Sequence, residues 1–312
     1  MYMTCWRIKK ITGTYKVMVL VFSAMGMFFS AWELIARPFA HSYNKALVYF
    51  SLNTWLSHYH GFLEFAIIFY ASFYLIILAV IAVQFVFRYF TLYKQEYSRR
   101  FGGAGVILWM SYAFLAGAIY GGSLYYFCRP DNDSDDYMRN VIADSYNLSI
   151  TTLARFAILP YESDDSIRWD SLKFLTAGVA TLSFQYIIII YCGVRMHSVL
   201  QKELAQQSIV NRKLQKQFFR ALVVQTVIPT FLFVLPIAPF LIGQLIQPVF
   251  HFEMSFPTGW MYVVLCLYPP IDSIAFMMIV SEYRSILIGL LKLGKSRVTS
   301  EFSTSTPATV ME

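Results

Sequence analysis

Residues 61–90 read GFLEFAIIFYASFYLIILAVIAVQFVFRYF, and no charged residue stands between Glu64 and Arg88. A helix needs about 20 predominantly apolar residues to cross the hydrocarbon core of a bilayer, and this run supplies them. Five further stretches meet the same test. Spanning helices are expected over 17–36, 61–87, 104–127, 174–194, 221–247 and 259–280. Two other apolar patches are too short. The stretch 46–56 is bounded by Lys45 and His58, and 150–159 is interrupted by Arg155, so both read as extramembrane or interfacial.

Composition agrees with that reading. The 312 residues are 57% hydrophobic and only 14% charged, where a soluble domain carries about 25%. Disorder, a collagen and an ordinary cytosolic enzyme are excluded. The fold class expected is an all-α membrane protein, a polytopic helical bundle occupying 1–294. Beyond it, 295–312 is rich in Ser and Thr and is expected to be a disordered cytoplasmic tail.

Six crossings put both termini on one side, and the basic residues select it. Eighteen of the 25 lysines and arginines precede the first span or follow the second, fourth and sixth, which assigns those segments to the cytoplasm. The net charge of +7 therefore records topology and implies no nucleic-acid partner. The long connection between the third and fourth spans is acidic and falls outside. It holds two N-x-Ser sequons, at Asn132 and Asn147, as candidate glycan acceptors. The first span is expected to act as its own insertion signal, because residues 1–10 lack the apolar core of a cleaved leader.

Motifs for chemistry are missing. No HExxH, GxSxG, P-loop or GxGxxG occurs, and Cys5, Cys128, Cys192 and Cys266 have neither metal-finger nor redox spacing. No catalytic residue, metal or cofactor is expected, and His58 and His60 read as solvated loop histidines. Intramembrane charge is more informative, since a carboxylate at mid-bilayer costs about 2.5 to 3.5 kcal/mol on insertion scales. Glu33 and Glu64 lie near span ends, within reach of interfacial water. Asp272 is mid-span in YPPIDSIAFMMIV, just after Pro269 and Pro270. Its two readings are a packing hydrogen bond to a neighbouring helix, and a conformational or ion-linked role. Pro229, Pro236 and Pro239 should kink or loosen the fifth span. Arg88 closes the second span between aromatic residues, where a snorkelling side chain is one explanation.

Several stretches taken together, GTYKVMVLVFS, ARPFAHSY, FVFRYF, LQKQFFRALVVQTVIPTFLFVLP and YPPIDSIAFMMIVSEYR, resemble the nematode Str superfamily of serpentine chemoreceptors, which are seven-transmembrane G-protein-coupled receptors. The resemblance runs over nearly the whole chain. It implies that Arg88 and Tyr89 form the G-protein-coupling position, with Phe87 replacing the usual acid. It implies that Asp272 is a switch residue, in a pattern similar to NPxxY completed by Ser273 and Phe276, and that Pro236 lies at the pivot of a helix whose inner end swings outward. Six spans are visible, so the first helix of that family is lacking, and Cys128 has no evident extracellular cysteine to pair with.

The function implied is a chemosensory, olfactory receptor at the plasma membrane of a sensory-neuron cilium, binding a small-molecule odorant between the outer halves of its helices and signalling to a heterotrimeric G protein. Tyr70, Phe73, Tyr74, Tyr125, Tyr126, Phe184 and Tyr186 are candidates to line that cavity. Two other readings stay open at this point: a six-span transporter or ligand-gated channel built around Asp272 and the broken helices, and a truncated receptor that does not signal.

Overall fold

The computed structural model describes residues 13–93, 95–162, 164, 166–202, 209–250, 253–286 and 288–289. The tail expected at 295–312 lies outside them, as does Cys5. Six helical segments among the described residues are long and apolar enough to cross a membrane. One of them is the axis of the bundle. Helix α2, His60–Tyr93, has 78% of its most apolar window buried, against 17% to 28% for the other five. A helix that is apolar all round belongs inside, and α2 packs on α1 (Gly13–Ala36), α4 (Gly105–Phe127), α6 (Trp169–Lys202) and α7 (Ile209–Pro229). A short α3, Gln95–Arg99, follows its inner end. Both α2 and α6 run past the boundaries expected from charge, since 34 residues span about 51 Å and hydrocarbon takes up only about 30 Å.

Close approach of α4 to α2 depends on glycine. A Cβ added at Gly117 would fall 2.5 Å from Ile76 Cγ1 and 3.1 Å from the Ser72 carbonyl. The fifth span breaks after α7 into a π-turn, Thr230–Val234, before α8 (Leu235–Phe250). Pro229 has no N–H to offer the Gln225 carbonyl, and threonine hydroxyls on either side of it bond to neighbouring carbonyls. Thr226 donates to the Leu222 carbonyl at 3.0 Å, and Thr230 to the Thr226 carbonyl at 2.7 Å. Tyr186 of α6 donates in turn to Thr230 at 2.6 Å. The sixth span is also two helices, α9 (Gly259–Cys266) and α10 (Tyr268–Ile279), with Pro269 and Pro270 at the start of the second.

The outer connections join in a four-stranded antiparallel sheet, which composition did not disclose. Its order is β3 (Arg155–Ile158), β2 (Ala46–Ser51), β1 (Pro38–Tyr43), β4 (Ser255–Pro257). The two apolar patches too short to span thus supply strands. A tight turn at Asn44 and Lys45 joins β1 to β2, with Asn44 left-handed at φ 46°. Helix α5, Asn132–Tyr146, packs Met138 and Ile142 against Val48 and Phe50. The Asp131 side chain accepts from the Ser134 N–H, closing a capping box at its start. Arg155 pairs with Asp135, fastening the helix to β3. His41 of β1 is buried, and its ring nitrogens hydrogen-bond Tyr146 Oη at 2.7 Å and Ser255 Oγ at 3.3 Å. Burial lowers its pKa.

Two outcomes follow. Replacing Gly117 with Val forces α2 and α4 apart and costs about 1–3 kcal/mol, read as a lower melting temperature of the detergent-solubilised protein. The unfolded chain protonates His41 near pH 6.5 and the folded chain only at lower pH. The stability that neutral His41 contributes is therefore complete above about pH 6.5 and is lost as pH falls below it. The protection factors of the β1 and β4 amides, which are referred to the intrinsic exchange rate at each pH, should fall between about pH 7.5 and 5.5, and His41→Gln should flatten that dependence.

Candidate functional site

Beneath the sheet lies an outer cavity of about 150 Å³, a size that accepts a molecule about as large as benzene. Ala71 and Tyr74 of α2, Tyr120 of α4, Leu241 of α8 and Tyr262 of α9 form its walls, and Ala40 and Leu47 of the first two strands its roof. The Tyr74 hydroxyl is buried without a hydrogen-bond partner among the described residues. Its ring meets Phe233 edge-on at 4.6 Å, and Phe233 meets Tyr268 at 5.0 Å. Of the aromatics singled out in the sequence, Tyr74 lines this cavity. Tyr70 and Phe73 stack instead on Phe29, Tyr186 is bonded to Thr230, Tyr125 is half-buried, and Tyr126 and Phe184 are exposed on the outside of the bundle. Tyr120, Phe233 and Tyr262 were not singled out; nothing in the local sequence distinguishes them from lipid-facing rings.

Midway through the bundle, Asp272 is 4% exposed and accepts from Gln225 Nε2 of α7 at 3.2 Å. Its other oxygen and Gln84 Nε2 are buried without hydrogen-bond partners among the described residues. These groups, with Ser23, Gly26 and Ser273, line a cavity of about 610 Å³ between α1, α2, α7 and α10. Pro236 is half-buried in the first turn of α8, directly after the π-turn. Glu33, at the outer end of α1, accepts from Cys266 Sγ at 2.6 Å. Among the described residues no group of three His, Cys, Asp or Glu side chains forms a metal cluster, and Cys128, Cys192 and Cys266 are free thiols.

At the inner end, Arg88 is 6% exposed. Its Cζ lies 3.5 Å from the ring centroid of Tyr15 and 4.3 Å from that of Phe218. Nη1 donates to Gln215 Oε1 at 3.5 Å, whereas Nε and Nη2 have no partner among the described residues. Tyr89 faces elsewhere, toward Tyr93 at 5.2 Å and Tyr191 of α6 at 6.3 Å. Arg88, Asp272 and Pro236 thus occupy separate levels of the bundle and form no single site. Asn132 and Asn147 are exposed at the two ends of α5.

Deleting the Gln225 amide leaves both oxygens of a buried carboxyl group without a partner. Gln225→Leu should cost about 1–3 kcal/mol in stability, measured by thermal unfolding in detergent, and the double replacement Gln225→Leu with Asp272→Leu should recover most of it.

Comparison with known proteins gives the lineage. Residues 1–288 match the family described as "Serpentine type 7TM GPCR chemoreceptor Str". The chain is 36% identical over 295 residues to "G-protein coupled receptor str-33" of Caenorhabditis elegans, covering 93% of this chain and 84% of that one. It is 27% identical to "Serpentine receptor class r-10" of Caenorhabditis elegans, over 96% and 88% of the two chains, and 26% identical to the Caenorhabditis briggsae protein described in the same words, over 96% and 87%. No solved structure matches. A helical membrane bundle with a cavity under its outer sheet and a buried arginine at its inner end is thus joined to sequence similarity along nearly its whole length, and the chain belongs to the Str family of serpentine G-protein-coupled chemoreceptors.

Proposed function

We propose that the protein is a chemosensory receptor in which a small odorant occupies the outer cavity and shifts a resting-to-active equilibrium read by a heterotrimeric G protein. The observation that carries this reading is the largely apolar cavity of about 150 Å³ below the sheet. Its size favours a compact ligand, and Tyr74, Tyr120 and Tyr262 give that ligand aromatic surface to pack on. A ligand there touches α2, α4, α8 and α9 together, so it can bind one arrangement of those helices better than another. That difference in affinity is the whole of the driving force.

Arg88 and Tyr89 are the G-protein-coupling pair in this reading, Asp272 is the switch in the sixth span, and Pro236 is the pivot. The π-turn supports a pivot there, since it marks where the fifth span already departs from α-helical bonding. Asn132 and Asn147 are glycan acceptors, and the working location is the plasma membrane of a sensory cilium. Support for the outward direction of those asparagines comes from the distribution of basic residues.

The test uses cells expressing the receptor with a G-protein reporter and a panel of compact volatile compounds. Ala71→Phe, which fills the cavity, should weaken the response to an active compound at least about tenfold while surface expression persists. Arg88→Ala should abolish the response at every dose. An unchanged dose–response curve for Ala71→Phe would remove the cavity from the mechanism.

A further inference from the structure

The guanidinium of Arg88 is taken out of water with very little hydrogen bonding in exchange. Of its five N–H donors, those on Nε and Nη2 are unpartnered among the described residues, and the bond to Gln215 is 3.5 Å long. The preceding residue is Phe87, and among the described residues no carboxylate pairs with Arg88. What surrounds it is aromatic. The Tyr15 ring comes from α1 and the Phe218 ring from α7, and the two meet edge-on at 4.8 Å. Tyr15 also lies parallel to Phe87 at 6.5 Å. A cation held over aromatic faces in a desolvated setting is attracted by the ring quadrupoles, so the contact that keeps Arg88 inward is cation–π on two sides.

We infer that Tyr15 and Phe218 form an aromatic latch that holds Arg88 in the resting conformation, in place of a carboxylate, and that activation is the opening of this cage. This rests on Arg88 being the coupling residue. The latch ties three helices at their inner ends, because the arginine belongs to α2 and the rings to α1 and α7. Moving the inner end of α7 outward withdraws Phe218 and unseats the guanidinium. The latch is also incomplete by design of its chemistry. Rings accept no strong hydrogen bond, so Nε and Nη2 remain unsatisfied until Arg88 meets carbonyl or carboxylate oxygens on a partner. A partner that supplies such oxygens therefore favours the open state by more than its contact with the rest of the surface.

Tyr15→Leu and Phe218→Leu remove the ring faces but keep apolar bulk, and Tyr15→Phe keeps a face. The full chain in lipid nanodiscs, with Cys5→Ser and Cys266→Ser, carries spin labels at Tyr93→Cys on α2 and Lys216→Cys on α7. Without ligand, both leucine variants should shift the label pair toward longer distances. With purified G protein they should raise nucleotide exchange about tenfold over the parent. Tyr15→Phe should match the parent in both. A shift in distance without exchange in any variant keeps the latch and rejects Arg88 as the coupling residue. Leucine variants that melt like the parent yet leave distance and exchange unchanged overturn the latch. If Tyr15→Leu fails to fold, Phe218→Leu decides alone.

Discussion

A peptide group in hydrocarbon has no water to turn to, and the layout of this molecule follows from where each such group finds its partner. Within the spans, the α-helical ladder answers the demand, and the most apolar helix, α2, is enclosed by its neighbours. The ladder fails in two spans, and both failures are at proline. Around Pro229 the threonine hydroxyls and Tyr186 add side-chain hydrogen bonds to the helix. Before Pro269 and Pro270 the span divides into α9 and α10. Among the described residues the strands of the sheet lie beyond the helix ends, where they gather the outer connections and satisfy their backbone.

The same constraint sets the character of the polar groups inside. Asp272 is tolerated at depth with one amide bond and an open cavity beside it. Arg88 is tolerated in a sleeve of rings. Between the outer cavity and Asp272 runs a contiguous set of packed rings, Tyr74 to Phe233 to Tyr268, that crosses the π-turn. Packed side chains with two discrete arrangements are the physical means by which occupancy at one end can bias the other. The π-turn is a natural place for the second arrangement, since its hydrogen bonding is already shared with side chains.

Much of the architecture was legible along the chain because the bilayer imposes a local rule, length without charge. The run from Phe65 to Phe87 needs no partner to be read as a span. The same rule denied a spanning helix to the patches at 46–56 and 150–159, which supply strands β2 and β3, yet their pairing was hidden. Val48 meets Ala157, and His41 meets Pro257, across separations that no local pattern reports. Arg88 and Asp272 stood out as charges in apolar surroundings. Their companions did not, because Tyr15, Phe218 and Gln225 are ordinary membrane-helix residues until folding brings them alongside.

The outer sheet has a consequence for how such receptors can diversify. Its strands come from three separate connections and meet in fixed register. An inserted or deleted residue in any one of those strands would turn its inward side chains outward and disturb the ceiling above the cavity. Point substitutions on the roof residues Ala40 and Leu47 carry no such penalty. Remodelling of that cavity should therefore proceed by exchange of side chains within strands of constant length, with changes of length relegated to the segment around α5 that the ladder does not bind.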